Sequence, residues 1–373
     1  MVDIQYIREH PEEMKQNIIN RQMDPAIFDV DALLRLDSDR RELVHQVDLL
    51  RADRNELSSK ITGPSDQELI TKATKIKEQI QKLEEELQAT DANYNELLWK
   101  MPNRLHPDIV IGKDEDENQV LREWGEIPAF DFEIKDHLEL GEALDIIDMQ
   151  TAASVSGARF AYIKNEAALL QFALVHFIIS SVTNPEIVRK IADSVGNKYS
   201  TPFSPIVPPV LMRPDVMDRM GRLYPIEDRF LLEKDDLVLV GSAEHTLGPL
   251  HMDQTVDSEN LPFRYIGYST AFRQEAGSYG KDTRGILRVH QFDKLEFETF
   301  SLPEDGATEQ NLLIAFQEYF LQQLEIPYQV IDICSGDTGK PDYRQVDINS
   351  WIPSQNTYRE THTSDYMTDY QAR

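Results

Sequence analysis

Residues 272–296 read FRQEAGSYGKDTRGILRVHQFDKLE, and this stretch decides both the fold and the chemistry. Arg273 and Glu275 are two residues apart, so on a β-strand both point to one face. Gly277, Gly280 and Gly285 surround a polar loop carrying Lys281, Asp282 and Arg284. Beyond it the even positions Arg288, His290, Phe292, Lys294 and Glu296 share a face, while Leu295 and Phe297 share the other. A plain polar strand face turned to solvent would read much the same. The density of arginine, the matched carboxylates and the glycine-rich hairpin favour instead a site for an anionic, phosphate-bearing ligand. The planar fork of arginine fits phosphate or carboxylate with two hydrogen bonds.

Upstream, two heptad runs flank a turn. Leu36, Leu43, Leu50 and Leu57 repeat every seven residues, with Leu33, Val47 and Ile61 on the interleaved seam and Arg40 and Arg54 loosening it. Leu69, Ala73, Ile76, Ile80, Leu83, Leu87, Thr90, Tyr94, Leu97 and Met101 carry the second stripe, and Gly63 and Pro64 break the two apart. This spacing predicts a long antiparallel helical hairpin with its tip near residues 58–70. A dimerising coiled coil would show the same stripes.

The net charge of −28 argues against a nucleic-acid partner, but the hairpin tip is a local exception. Arg51, Arg54, Lys60, Lys72, Lys75 and Lys77 there outnumber Asp53, Glu56, Asp66 and Glu68. From Val155 onward short strands and helices alternate without a βαβ rhythm, which predicts an antiparallel sheet flanked by helices. Pro205, Pro208 and Pro209 mark an edge strand or a bend. No GxxxxGK[ST] or GxGxxG pattern occurs, so neither a P-loop nor a dinucleotide fold is expected. Cys334 is the sole cysteine, expected to be buried, and speaks for a reducing cytoplasm without disulfide or zinc. The N-terminus lacks a secretory pattern, and no apolar run approaches the roughly 20 residues of a membrane span.

The run FRxEAGSxGxDTRGxxRxHQFxKxE resembles motif 2 of class II aminoacyl-tRNA synthetases in the form used by seryl-tRNA synthetases. The resemblance extends over nearly the whole chain. It implies an α+β fold: a long antiparallel α-helical hairpin (coiled coil) plus a class II antiparallel β-sheet catalytic domain flanked by helices. The divisions expected are residues 1–104 as the tRNA-binding hairpin, 105–150 as linker and 151–373 as a C-terminally incomplete catalytic core. The segment from Gly157 to Pro209 resembles motif 1, whose role in the family is the homodimer interface.

The implied activity is ATP-dependent activation of L-serine to seryl-adenylate and its transfer to the 3′ end of tRNA(Ser), with tRNA(Sec) as a further acceptor. Arg273, Glu275 and Arg288 match the catalytic positions. Ser242, Ala243 and Glu244 match the family's Thr-x-Glu triplet, which with Arg273 and Glu296 binds serine. Arg273, Gln274, Glu275, Arg284, Arg288, Val289, Phe292, Glu360, Thr361, His362 and Thr363 match positions around ATP. Glu360 and Thr363 match the Mg²⁺ ligands, hard oxygen donors of the kind magnesium prefers. Arg51, Arg54, Lys60, Lys72 and Lys75 fall where the hairpin meets the long variable arm of tRNA(Ser), an interface read through shape and phosphate. Two departures stand out. After Glu360 the family reads SSCSN or close to it, whereas here Thr361-His362-Thr363-Ser364-Asp365-Tyr366 follows. No GxGxxR stretch of motif 3 follows either, so weak or absent serine activation is the expectation, and a non-catalytic synthetase-like RNA-binding protein is the second reading.

Overall fold

The computed structural model describes residues 1–63, 66–275 and 284–372. Gly277, Gly280, Lys281 and Asp282 of the polar loop, and the breaker Pro64, lie outside the described residues. The chain divides into two compact units, Met1–Arg104 and Leu105–Arg373.

In the first unit, short helices Ile4–Glu9 and Pro11–Asn20 precede the hairpin helices Val30–Lys60 and Gln67–Lys100. Leu33, Leu43 and Val47 of one helix and Ile80 and Tyr94 of the other are buried, as the heptads predict, while Leu98 is buried in place of the expected Leu97. Asp29 caps the first long helix by accepting from Ala32 N–H. Near the tip, Asp66 accepts from the N–H groups of Thr62 (2.7 Å) and Gly63 (3.2 Å). Arg40 does less damage to the seam than its charge implies. It pairs with Asp91 at 2.5 Å and lies over the Tyr94 ring. Asp37, almost fully buried, accepts two bonds from Arg8 (2.7 and 2.6 Å) and so ties the first helix to the hairpin.

The second unit holds two principal sheets. In the four-stranded sheet the order is Gln119–Trp124, Tyr328–Asp332, Arg344–Ile352, Thr357–Tyr366, all antiparallel. The three-stranded sheet runs Ser204–Ile206, Phe263–Phe272, Gln291–Phe300. Its long pair is antiparallel, but the edge strand with Pro205 joins in parallel, a departure from the purely antiparallel sheet expected. The stretch 105–150, read as a linker, belongs to this unit, because Gln119–Trp124 completes the open edge of Tyr328–Asp332.

The helix Gly306–Gln323 braces both sheets. One side packs Leu312, Phe316 and Phe320 with Phe203 and Ile266, and the other packs Ile314 and Leu321 with Tyr328, Val330, Val346 and Ile348. Inside this core Arg264 is fully enclosed and bonds Glu309 through Nη2 (2.6 Å) and Nε (2.8 Å), its Nη1 donating to the Thr201 carbonyl. The helix Asn165–Val182 differs from the expectation of no membrane-length apolar run. By length and composition it is apolar enough to cross a bilayer, with Leu169, Leu170 and Phe172 at least 60% exposed.

Removing one partner of a buried ion pair leaves an uncompensated charge, at a cost of about 3–5 kcal/mol. Glu309→Ala is therefore expected to lower the stability of Leu105–Arg373 by about that amount. Urea unfolding followed by Trp124 and Trp351 fluorescence measures it, and a loss below about 1 kcal/mol would contradict the bracing role.

Candidate active site

The antiparallel ladder ends with Phe272 opposite Gln291, and Arg273 is the next residue. Its backbone stays fixed, since Arg273 N–H donates to His290 O (3.0 Å) and His290 Nδ1 bonds the Arg273 carbonyl (2.9 Å). The guanidinium donates through Nε to Gly241 O at 3.1 Å and sits 5.1 Å from the Phe292 ring centre. Glu275 does not continue the strand. It adopts φ of +53°, so the simple two-residue alternation with Arg273 fails there. Its carboxylate instead meets Arg288 Nη1 at 3.0 Å. Two residues expected around ATP are thus paired with each other. Gln274 donates from its backbone to Asp228 O and from its side chain to Arg229 O. Val289 is half-buried, while Arg284 is exposed and its charge helps keep the Asp136 carboxyl below its ordinary value, after backbone donation from Glu139.

One residue beyond the Gly241 carbonyl that Arg273 holds, an acidic cluster begins. Ser242, Ala243 and Glu244 follow the strand Leu237–Leu239 and enter the single turn Glu244–Leu247. Ser242 Oγ donates to Glu296 Oε2 (2.6 Å) and accepts from Lys294 Nζ (3.0 Å) and from Glu244 N–H (3.2 Å). Lys294 also meets Glu296 Oε2 at 2.6 Å. Glu244 Oε1 accepts from Arg222 Nε (2.8 Å), Arg222 Nη2 (2.7 Å) and Gln371 Nε2 (2.9 Å). Burial opposes ionisation of Glu244, yet Arg222, His245, Lys294 and the Gln371 hydrogen bond together outweigh it and hold the carboxylate down to about 2. Burial and the nearby carboxylates Glu244 and Glu296 push Glu298 well above the ordinary range. Burial likewise lowers His245 to about 3; its neutral ring accepts Gly241 N–H through Nδ1 at 3.2 Å.

The third wall is the strand Thr357–Tyr366. A one-residue bulge falls at Thr361, where Ile348 pairs with His362 but Asn349 pairs with Glu360. Three residues apart, Glu360 and Thr363 would face opposite sides of a regular strand; the bulge rephases the alternation so that both serve one face. Asp347, opposite Thr363, feels both: burial and then Glu360 push it up to about 7 against hydrogen bonding from Thr363. Thr363 donates to Asp365 at 2.9 Å, and Asp365, pushed up to about 6 mainly by burial, lies 4.0 Å from Arg222. Thr361 bonds Ser350 and the Ile348 carbonyl, which makes it part of the bulge, and burial keeps His362 near 4 and neutral. Among the described residues no cluster of three or more His, Cys, Asp or Glu has metal-binding geometry.

Arg222, Arg229, Lys294 and Asp347 were not among the sequence candidates. Lys294 was visible as the residue between Phe292 and Glu296 on the strand face. The others reach the site through packing, which no spacing rule reports. At the hairpin tip, Arg51 pairs with Glu84, Lys60 with Glu56 and Lys72 with Glu68. Arg54 and Lys75 have no carboxylate partner among the described residues.

Comparison with known proteins matches these features to one family. Residues 1–105 fit the description Seryl-tRNA synthetase N-terminal domain, and residues 224–373 fit tRNA synthetase class II core domain (G, H, P, S and T). The serine–tRNA ligase of Dictyoglomus turgidum is 40% identical over 384 residues, covering the whole chain and 85% of that protein. The chain belongs to the seryl-tRNA synthetase family. Its enzyme class is serine–tRNA ligase, an aminoacyl-tRNA synthetase, and the helical hairpin with a sheet-built core is the fold of that family. Seryl-tRNA synthetase from Pyrococcus horikoshii, solved with ATP, superposes with a TM-score of 0.83 at 34% identity over the whole chain and 86% of its own. The cytoplasmic enzyme of Naegleria fowleri, solved with AMP, gives 0.81 at 26% identity, over the whole chain and 85% of its own.

The depressed Glu244 makes a pH prediction. An acid held low in the folded state stabilises it above the unfolded value of 4.5, and that share is lost as pH falls toward 2. Arg222→Met is therefore expected to cost most at neutral pH, with a penalty that shrinks in acid as the unpaired Glu244 takes up a proton. Urea midpoints of both proteins from about pH 7 to about pH 3 check this; a penalty independent of pH would contradict it.

Proposed function

We propose that Arg273, the Ser242–Glu244 turn and Glu296 together bind L-serine and direct its carboxylate at the α-phosphate of ATP. One observation carries this reading. A guanidinium without a carboxylate partner among the described residues holds the Gly241 carbonyl, while the next residue, Ser242, holds Glu296 in a cluster where Glu296, Glu244, Glu298 and Asp365 outnumber Arg222 and Lys294. Such separated charge is complementary to a zwitterionic amino acid. The substrate carboxylate goes to the Arg273 side, its ammonium to Glu296, and its hydroxyl toward Glu244.

The attacking carboxylate and the phosphate are both anions, so the barrier falls when preorganised positive charge cancels their repulsion. Arg273 provides it without having to reorient, because its Nε and backbone are already tied down. No protein base is needed, since the nucleophile is ionised. Arg284 and Arg288 serve the outer phosphates, Phe292 the adenine face and Glu275 its amino group, for which the Glu275–Arg288 pair exchanges partners. Gln274, Val289, Thr361 and His362 shape the surroundings of ATP. Glu360 and Thr363 fit magnesium by their chemistry, hard oxygens on one face beside the Asp347 carboxyl; they would hold the ion, which would offset phosphate charge.

The hairpin tip, through Arg51, Arg54, Lys60, Lys72 and Lys75, takes the long variable arm of tRNA(Ser), and the seryl group passes to the tRNA 3′ end. The exposed apolar helix Asn165–Val182 supports a homodimer closed over that face, in a cytoplasmic setting.

Calorimetric titration separates the two halves of the site. Glu296→Gln is expected to weaken serine binding at least about tenfold, or about 1.4 kcal/mol, while ATP binding changes less than about twofold; the reverse pattern would refute the assignment. Leu170→Glu is expected to convert dimer to monomer in sedimentation analysis, and an unchanged species would remove that helix from the interface. Reversing Arg54 and Lys75 to Glu should lower the salt slope of tRNA affinity by about 1.4–1.8, given roughly 0.7–0.9 per phosphate contact.

A further inference from the structure

Two guanidinium groups flank Gly241, and the mechanism above uses one. Arg229 lies between the turn Ile226–Asp228 and the strand Leu231–Leu232. Its Nε donates to Arg222 O at 3.0 Å, and its own carbonyl accepts Gln274 Nε2 at 2.9 Å. Its Nη1 stands 3.2 Å from where a Cβ on Gly241 would be, so the bare glycine lets the fork approach the backbone. Arg273 meets the same residue from the other side, through its Nε bond to Gly241 O. Both arginines thus commit Nε to a main-chain carbonyl and leave the Nη edge without a protein acceptor among the described residues.

That arrangement is costly for the protein alone. Burial and then the neighbouring Arg273 charge push Arg229 below its ordinary value. Carboxylates are not in short supply, with 66 acidic against 38 basic residues. Arg222 shows what an arginine here does when a protein acceptor is intended, taking Glu244 with both Nε and Nη2. Two adjacent, half-buried, unneutralised forks are the signature of a site for anions.

We propose that Arg229 is a second substrate-binding arginine, the main holder of the amino acid's carboxylate, beside which Arg273 stands between that carboxylate and the phosphate it attacks. The division follows from position. Arg229 adjoins Gly241, one residue before the Ser242–Glu244 turn, whereas Arg273 lies over Phe292, the ring read as the adenine face. The carboxylate thus keeps a fork of its own as the new bond forms, while Arg273 spans it and the phosphate. This inference rests on the serine-activating reading, and its test is built to fail separately.

The full chain is titrated calorimetrically with L-serine, with serinol (the carboxylate replaced by a hydroxymethyl group) and with ATP. Arg229→Met is expected to lower serine affinity about tenfold or more and to leave serinol and ATP within about twofold, with Arg229→Lys recovering part of the loss. Arg273→Met weakens ATP. An unchanged serine-to-serinol ratio in Arg229→Met would reduce Arg229 to a strap on the Arg222 carbonyl and overturn the inference. Weakened ATP with intact serine would also overturn it, by assigning the fork to phosphate. Wild-type protein that binds neither serine nor ATP would bring down the parent reading and this one with it. Should Arg229→Met fail to fold, Arg229→Gln and Arg229→Lys carry the same comparison.

Discussion

Gly267 stands in the middle of the strand Phe263–Phe272, opposite Glu296, and its missing side chain is what brings the site together. A Cβ there would lie 2.5 Å from Leu247 Cδ1 and 3.4 Å from Ala243 Cβ. Because it is bare, the turn Glu244–Leu247 packs directly on the strand, and Ser242 comes within hydrogen-bonding distance of Glu296. The ladder does the rest. Lys294 pairs with Ser269, Glu296 with Gly267 and Glu298 with Tyr265, so period-2 alternation lines three charged side chains along one face. Arg273 leaves the end of that ladder while His290 still holds its backbone on both sides.

Charge is sorted rather than neutralised in this site. Arg222 and Lys294 stand against Glu244, Glu296, Glu298 and Asp365, while Arg229 and Arg273 face each other across Gly241. Low dielectric makes each imbalance costly, which is why Glu298 and Asp365 hold protons more tightly than ordinary carboxylates. The stability for this arrangement comes from elsewhere, from the helix Gly306–Gln323 wedged between the sheets and the enclosed Arg264–Glu309 pair.

The hairpin was legible because its heptads satisfy a local rule: a residue every seven positions lands on one helix face whatever lies around it. Much of the candidate site was legible for a related reason, since Arg273, Arg288, Phe292 and Glu296 fall in one run of chain. The reading failed where local geometry broke. Glu275 left the strand through a positive φ, and Pro205 joined its sheet in parallel.

The sequence by itself determined the helical hairpin, the motif carrying Arg273 and Glu296, and therefore the family and its chemistry. These depend on periodicity and on residue types close together in the chain. Only the tertiary structure decided that Arg222 would lock Glu244, that Arg229 would stand beside Arg273 with no carboxylate bond among the described residues, and that a bulge at Thr361 would bring Glu360 and Thr363 to one face. Those outcomes depend on which segments pack against a bare glycine or across a shifted register, and such distances are set by the whole core rather than by any neighbouring residue.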